Sequence, residues 1–123
     1  QGPSLIIAYS HCIAHGIKDM ADGKDKGYEE QKRAVACGHW PLFRFDPRAL
    51  STGKNPLTLD SKEPTMSYSE WALNETRFKT LQQRDPERAK ALLEQGQAEN
   101  MQRWAFYEQL ANLSVTPAEA SAE

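Results

Sequence analysis

The 123-residue chain has few cysteines, no long apolar run and no excess of positive charge. Its two cysteines, Cys12 and Cys37, are too few for the disulfide framework that holds small secreted domains together. The longest apolar run, residues 5–9, has five residues, whereas a membrane-spanning helix needs about 20. The net charge of −2 gives no excess of cations for binding a phosphate backbone. We therefore expect a chain that binds neither nucleic acid nor a membrane.

The beginning of the chain also lacks two common features. Its first residues have neither the basic start nor the long apolar centre of a secretory signal, so we expect a reducing, cytoplasmic location. There is no initiating methionine, and the apolar run begins at Leu5, almost without a lead-in. This abrupt start indicates a fragment of a longer polypeptide.

Residues 1–66 have the pattern of part of an α/β sheet. Residues 5–9 predict a short buried strand, because their apolar side chains are continuous rather than alternating. Residues 10–17 predict the start of a helix, residues 19–27 a surface loop, and residues 28–37 a helix that ends at Gly38.

The remainder of this first part predicts little regular structure. Residues 42–45 alternate and predict a second short strand. Residues 48–66 contain Gly53, Pro56 and Pro64, so we expect an extended, irregular segment that wraps over a surface. Because two strands do not make a stable sheet alone, we expect the front of the chain to belong to a larger domain.

Residues 67–123 predict a helical extension, an antiparallel hairpin of two helices with a frayed end. Ser67 and Glu70 form a capping box for a helix that continues to about residue 83. Asp85 and Pro86 then begin a long amphipathic helix. Its apolar stripe consists of Ala89, Leu92, Leu93, Gly96, Met101, Trp104, Tyr107 and Leu110.

Residues with metal-binding chemistry directly follow the first predicted strand. Cys12, flanked by His11 and His15, offers ligands that suit zinc or iron–sulfur clusters. A structural zinc site needs four ligands, and the further candidates, Cys37 and His39, have a spacing that is unusual for zinc.

Three other roles for Cys12 remain open on these residues alone. In the first alternative, Cys12 is a buried cysteine with histidines packed nearby. In the second, it is a nucleophile whose pKa is lowered by a helix N-terminus, and His11 or His15 is the base. In the third alternative, Cys12 completes a cluster whose other cysteines come from elsewhere in a larger chain.

Four segments, in this order, carry a family signature: GPSLIIAYSHCIAHGI, AVACGHWPLFRFDPR, GKNPLTLDSKEP and NETRF. From about Gly2 to about Trp104, the chain closely resembles the C-terminal portion of the pyruvate:ferredoxin (flavodoxin) oxidoreductases, a family of 2-oxoacid oxidoreductases. The resemblance implies an α/β fragment at the edge of a thiamine-diphosphate-binding domain over residues 1–66, followed by an α-helical hairpin tail over residues 67–123.

The resemblance further implies a large homodimeric cytoplasmic parent enzyme. Such enzymes convert pyruvate and coenzyme A to acetyl-CoA, and some support nitrogen fixation. Electrons pass through three [4Fe-4S] clusters to ferredoxin or flavodoxin. Thiamine diphosphate and Mg²⁺ would be bound mainly by residues outside this chain, so we expect the 123 residues alone to be inactive.

Only Cys12 matches a functional residue of the family. It corresponds to the fourth cysteine ligand of the [4Fe-4S] cluster nearest the thiamine cofactor, which makes it the one predicted metal-binding and cofactor-binding residue. No catalytic residue and no role for Cys37 carry over. The alternative is a stand-alone helical interaction module with a Cys/His zinc site.

Overall fold

Helices dominate the part of the chain that the computed structural model describes, residues 2–12 and 26–116. A two-stranded sheet accompanies them, so the architecture is compatible with an α/β fragment. The elements, in chain order, are α1 (Lys26–Ala36), β1 (Phe43–Phe45), a 3-10 helix (Pro47–Thr52), β2 (Leu57–Leu59), α2 (Tyr68–Ala72), α3 (Thr76–Arg84) and α4 (Pro86–Ala111).

Helix α1 confirms the helix predicted over residues 28–37 and its glycine stop. Gly38 has a φ of 76°, in the left-handed region that glycine adopts without steric cost. Its N–H donates to the carbonyl of Val35 at 3.0 Å, and the next turn closes through Trp40 N–H to the Ala34 carbonyl at 3.0 Å. These bonds satisfy carbonyls that the end of a helix leaves without intrahelical partners.

Strand β1 confirms the strand predicted at residues 42–45, and its partner β2 was not predicted. The two strands are antiparallel, with Phe43 opposite Leu59 and Phe45 opposite Leu57. The prediction of an irregular segment over residues 48–66 is therefore wrong at β2. The three-residue strand is too short for its alternation to be recognised beside Pro56.

The same irregular segment also contains the 3-10 helix. Asp46 caps it by accepting a hydrogen bond from the Arg48 N–H at 3.1 Å, and Pro47 occupies the first turn. Gly53, with a φ of 70°, ends it. The prediction of an extended, irregular segment is therefore also wrong at this short capped helix.

The single helix predicted from Ser67 to about residue 83 is two helices, α2 and α3. Ser67 is the predicted N-cap, since its hydroxyl oxygen accepts from the Glu70 N–H at 3.2 Å. The helix stops at Ala72 and restarts at Thr76. At the break, Asn74 Nδ2 donates to Glu30 Oε2 of α1 at 2.5 Å, a tertiary contact that helical periodicity does not reveal.

Helix α4 begins where the sequence predicts. Asp85 accepts from the Arg88 N–H at 3.1 Å, and Pro86 occupies the first helical position. Both α2 and α3 pack against α4, and the Tyr68 N–H of α2 donates to Gln97 Oε1 of α4 at 2.7 Å. The predicted pairing of two helices is thus a packing of α2 and α3 against α4.

Only part of the predicted stripe on α4 is buried. Ala89 and Trp104 are buried, whereas Leu92 and Met101 remain exposed. Asn100, a polar residue outside the predicted stripe, is buried and donates to the Cys37 carbonyl at 3.4 Å. It lies against the C-terminal end of α1.

The core lies where α1 meets α2. Its buried residues are Ala34, Cys37, Trp71 and Ala72. Partly buried side chains surround them: Tyr9, Trp40, Met66, Tyr68, Phe78 and Leu93. These side chains extend from Tyr9 in the N-terminal segment to Leu93 in α4. Residues before and after position 66, the boundary predicted from the sequence, therefore share one core.

The buried strand predicted at residues 5–9 is wrong for this chain. Among residues 2–12 no strand is present, and Leu5, Ile6 and Ile7 are 84%, 89% and 70% exposed. A continuous apolar strand requires a sheet covered on both faces, and the described residues supply no neighbouring strand here. Residues 10–12 are not helical, although a helix was predicted over residues 10–17. The remainder of that predicted helix lies outside the described residues, and so does most of the loop predicted at residues 19–27.

Within the described ranges, no helix is both long enough and apolar enough to cross a membrane.

Candidate functional site

Cys12 is the exposed last residue of the described N-terminal segment. This segment attaches to α1 through Tyr9, whose carbonyl accepts from Gln31 Nε2 at 3.1 Å. The Tyr9 ring packs on Trp40, with centroids 5.6 Å apart, and meets the edge of His39 at 6.0 Å. The backbone leading to Cys12 is therefore held on the core three residues before the thiol.

The phenol of Tyr9 stays protonated at neutral pH. Burial, followed by the negative charges of Glu75 and Glu30, raises its pKa to about 12. Tyr9 therefore acts here as a packing group and not as a source of charge.

His11 sits directly on the first turn of α1. Its imidazole ring contacts Gly27 so closely that a Cβ added there would overlap the ring. Gly27 itself is buried. The Nδ1 atom of His11 is also buried and has no hydrogen bond to the described residues.

Two buried carboxyl groups lie within electrostatic reach of His11. Glu30 on α1 is 1% exposed, and Glu75, which precedes α3, is 7% exposed. Burial raises the pKa of Glu30, opposed by its hydrogen bond from Asn74 and the charge of Arg33. Burial and the charge of Glu30 raise the pKa of Glu75. Among the described residues, Oε1 of each carboxyl has no hydrogen-bond partner.

Sequence analysis missed this carboxyl pair, although α1 carries a signal for one member. Gly27, Glu30, Ala34 and Cys37 follow one another at intervals of three or four residues, so they share one helix face. All four are buried. A glutamate in phase with the buried residues of an amphipathic helix is the pattern that identifies Glu30; Glu75 has no comparable signal.

Cys37 is unsuited to metal binding in this fold. Its side chain is fully buried, its Sγ donates to the Ala34 carbonyl at 3.4 Å, and burial raises the pKa of the thiol. It forms no disulfide with Cys12. The thiolate needed for ligation is disfavoured at this position.

His39, the other zinc candidate, is a packing residue. Its ring stacks on Trp71 with centroids 4.2 Å apart. Burial lowers the pKa of His39, and the charge of Arg103 lowers it further, so the imidazole is neutral at neutral pH. Arg103 also binds the His39 carbonyl at 2.9 Å.

The described residues do not assemble a metal site of their own. They contain no group of three or more histidine, cysteine, aspartate or glutamate side chains suited to a metal ion. His15, which the sequence offers as a ligand or base, lies outside the described ranges. Cys12 thus presents a single exposed thiol, and neither Cys37 nor His39 is brought to it as a second ligand.

The sequence was compared with known proteins. No family model matches it. It is 50% identical over 112 residues, 91% of the chain, to a pyruvate-flavodoxin oxidoreductase of Nostoc sp.. It is 45% identical over 114 residues to the pyruvate-flavodoxin oxidoreductase of Rhodospirillum rubrum, and 41% identical over 111 residues to the pyruvate:ferredoxin oxidoreductase of Moorella thermoacetica. Each match covers 9% of the relative, so the chain spans about a tenth of the length of these curated relatives.

Proposed function

Because this chain is homologous to a segment of the pyruvate-flavodoxin and pyruvate:ferredoxin oxidoreductases, we propose that it is the C-terminal portion of an enzyme of that kind. The observation that carries the proposal is identity of 41–50% over about nine-tenths of the chain. The parent enzyme is proposed to convert pyruvate and coenzyme A to acetyl-CoA, CO₂, one proton and two electrons. The electrons pass to flavodoxin or ferredoxin.

Cys12 is proposed to supply one of four thiolate ligands to a [4Fe-4S] cluster. A cluster of this type is held by four cysteine thiolates and transfers single electrons. The side chain of Cys12 is exposed, whereas Cys37 is enclosed in the core. This chain is therefore proposed to supply one ligand of the cluster, and the other three cysteines would come from the rest of the parent enzyme.

The remainder of the chain is proposed to support this ligand. Residues 1–66 would form the edge of a thiamine-diphosphate-binding domain, and residues 67–123 its helical extension. Thiamine diphosphate and Mg²⁺ would be held mainly outside this chain. We further propose a cytoplasmic, homodimeric parent enzyme with a role in supporting nitrogen fixation, and no activity for the 123 residues alone.

The proposal is tested by the Cys12→Ser substitution in the full-length parent enzyme. We expect lower iron content and loss of pyruvate-dependent reduction of ferredoxin or flavodoxin, because an alkoxide replaces a thiolate poorly in the cluster. Cys37→Ser is the matched control, and it should keep both properties.

Two results would contradict the proposal. One is unchanged iron content together with unchanged electron transfer in the Cys12→Ser enzyme. The other is one tightly bound zinc ion per isolated 123-residue chain, which supports the helical module with a Cys/His zinc site instead.

A further inference from the structure

We propose that His11 is a positioning residue for Cys12, and that Gly27 provides the seat for its ring. This inference rests on the proposed role of Cys12 as a cluster ligand. The observation that carries it is the contact between the His11 imidazole and Gly27 at the first turn of α1, where no space remains for a Cβ.

The glycine is explained by this contact and not by backbone geometry. Gly27 lies within α1, and it is absent from the described glycines with positive φ, which are Gly38 and Gly53. Alanine is favoured over glycine by up to about 1 kcal/mol inside a helix. A residue that lowers helix stability without a conformational reason is consistent with close approach of another group, here the imidazole ring.

The surroundings of the ring favour an imidazole over an apolar side chain. Glu30 follows Gly27 by one helical turn on the same buried face, and Glu75 reaches the site from the start of α3. Both carboxyl groups interact electrostatically with His11. In the described part of the chain, Oε1 of each glutamate and Nδ1 of His11 are buried without hydrogen bonds. The partly buried imidazole thus lies within electrostatic range of two buried carboxyl groups.

The seat restricts the position of Cys12. Successive Cα atoms are about 3.8 Å apart, so fixing the His11 ring also limits where the next residue can lie. Tyr9, bound to Gln31, fixes the chain two residues before His11. The Tyr9 carbonyl and the His11 ring thus attach the chain to α1 at two points shortly before Cys12. Groups that orient metal ligands affect metal affinity and redox potential in this manner.

The test is the Gly27→Ala substitution in the full-length parent enzyme. The added methyl group displaces the His11 ring, and we expect iron to be lost to the chelator bathophenanthroline about 10- to 100-fold more readily than from the unmodified enzyme. The reduction potential of the cluster, followed by its electron paramagnetic resonance signal, should shift as well. His11→Ala should produce the same two changes.

The matched control is Gly96→Ala on α4, which places the same methyl group against the Tyr68 ring of α2. This variant should lower thermal stability and leave iron retention and potential unchanged. The Gly27→Ala/His11→Ala double variant should be no worse than either single variant, because residues in contact do not add independently. Additive losses would overturn the positioning role, as would normal iron retention and potential in both single variants.

Failure of this inference is separable from failure of the proposed function. If Cys12→Ser removes iron while Gly27→Ala and His11→Ala leave retention and potential unchanged, only the positioning role is wrong. If Cys12→Ser leaves iron content unchanged, the assignment of Cys12 as a ligand is wrong, and the positioning role with it.

Discussion

At the scale of single residues, the buried carboxyl groups are the least ordinary feature of the core. Carboxylates are rarely buried without a paired charge, because leaving water costs the ionised form several kcal/mol. Glu30 has Arg33 Nε at 3.5 Å and the Asn74 amide as partners. Glu75 Oε1 has no hydrogen bond among the described residues. Burial and the charge of Glu30 raise the pKa of Glu75, and the charges of His11 and Arg77 oppose this shift.

Glu75→Gln should stabilise the 123-residue chain at alkaline pH. Burial raises the pKa of Glu75 above its ordinary value of 4.5, so the folded state holds the proton more strongly than the unfolded state. Its contribution is fully present below the unfolded pKa and is lost as pH rises through the folded pKa. We expect the free energy of unfolding in urea to increase by about 1 kcal/mol at pH 8 and to change little at pH 4.

The matched control is Glu29→Gln, on the exposed side of the same α1 helix. It should change stability little at either pH, because its side chain is solvated. Equal effects of Glu75→Gln at pH 4 and pH 8 would show that Glu75 does not titrate differently in the folded state.

At the scale of elements, the signals that sequence analysis recognised correctly are local ones. Ser67, Asp85 and Gly38 act within one turn of their own position, so their short-range patterns were enough to place helix ends. The break between α2 and α3 was missed because it coincides with Asn74 reaching Glu30 on a different helix. Strand β2 was missed because its three residues are a strand through their hydrogen bonds to β1, and a sequence pattern of three residues does not show such pairing.

The end of α4 depends on a residue 55 positions earlier in the chain. Asn55 Nδ2 lies 2.7 Å from the Leu110 carbonyl, 3.0 Å from that of Ala111 and 3.1 Å from that of Leu113. Its Oδ1 accepts from the Leu57 N–H at 2.8 Å, at the start of β2. One side chain thus connects the C-terminus of α4 to the sheet.

Asn55→Ala should lower the free energy of unfolding by about 1–3 kcal/mol, since it leaves the helix-end carbonyls and the Leu57 N–H without this partner. Asn112→Ala is the control, because the Asn112 side chain makes an exposed hydrogen bond to the Glu108 carbonyl of the helix that it caps. It should cost less than Asn55→Ala in the same urea titration. Equal losses would contradict the role of Asn55 as the cap that joins α4 to the sheet.

At the scale of the whole molecule, the apolar N-terminal run is the least buried apolar segment of the described residues. Leu5, Ile6 and Ile7 are largely exposed, although their continuous pattern is typical of a strand covered on both faces. The chain spans about a tenth of the length of its relatives, so a sheet that covers this run would have to come from the rest of the proposed parent enzyme. The pattern was visible in the sequence, but the buried strand that it predicted is absent from residues 2–12. The same limit applies to Cys12, whose proposed companion ligands lie in the parent.

Ile6→Thr should therefore have different effects in the two contexts. In the 123-residue chain we expect a change below about 0.5 kcal/mol, because the side chain is already in water. In the parent enzyme the same substitution should lower thermal stability, since it places a hydroxyl in a covered sheet. Trp71→Ala is the control for the isolated chain, with an expected loss of about 3–5 kcal/mol from its buried position. A loss from Ile6→Thr in the isolated chain comparable to that from Trp71→Ala would contradict the exposure of residues 5–7.

The central claim is that Cys12 ligates an iron–sulfur cluster of the parent enzyme, and iron content tests it most directly. The parent enzyme would be purified without oxygen as the Cys12→Ala and Cys37→Ala variants, and iron per chain would be determined for both. The account predicts that Cys12→Ala loses about four iron atoms, those of one [4Fe-4S] cluster, while Cys37→Ala keeps its full iron content. Full iron content in the Cys12→Ala enzyme would contradict the claim.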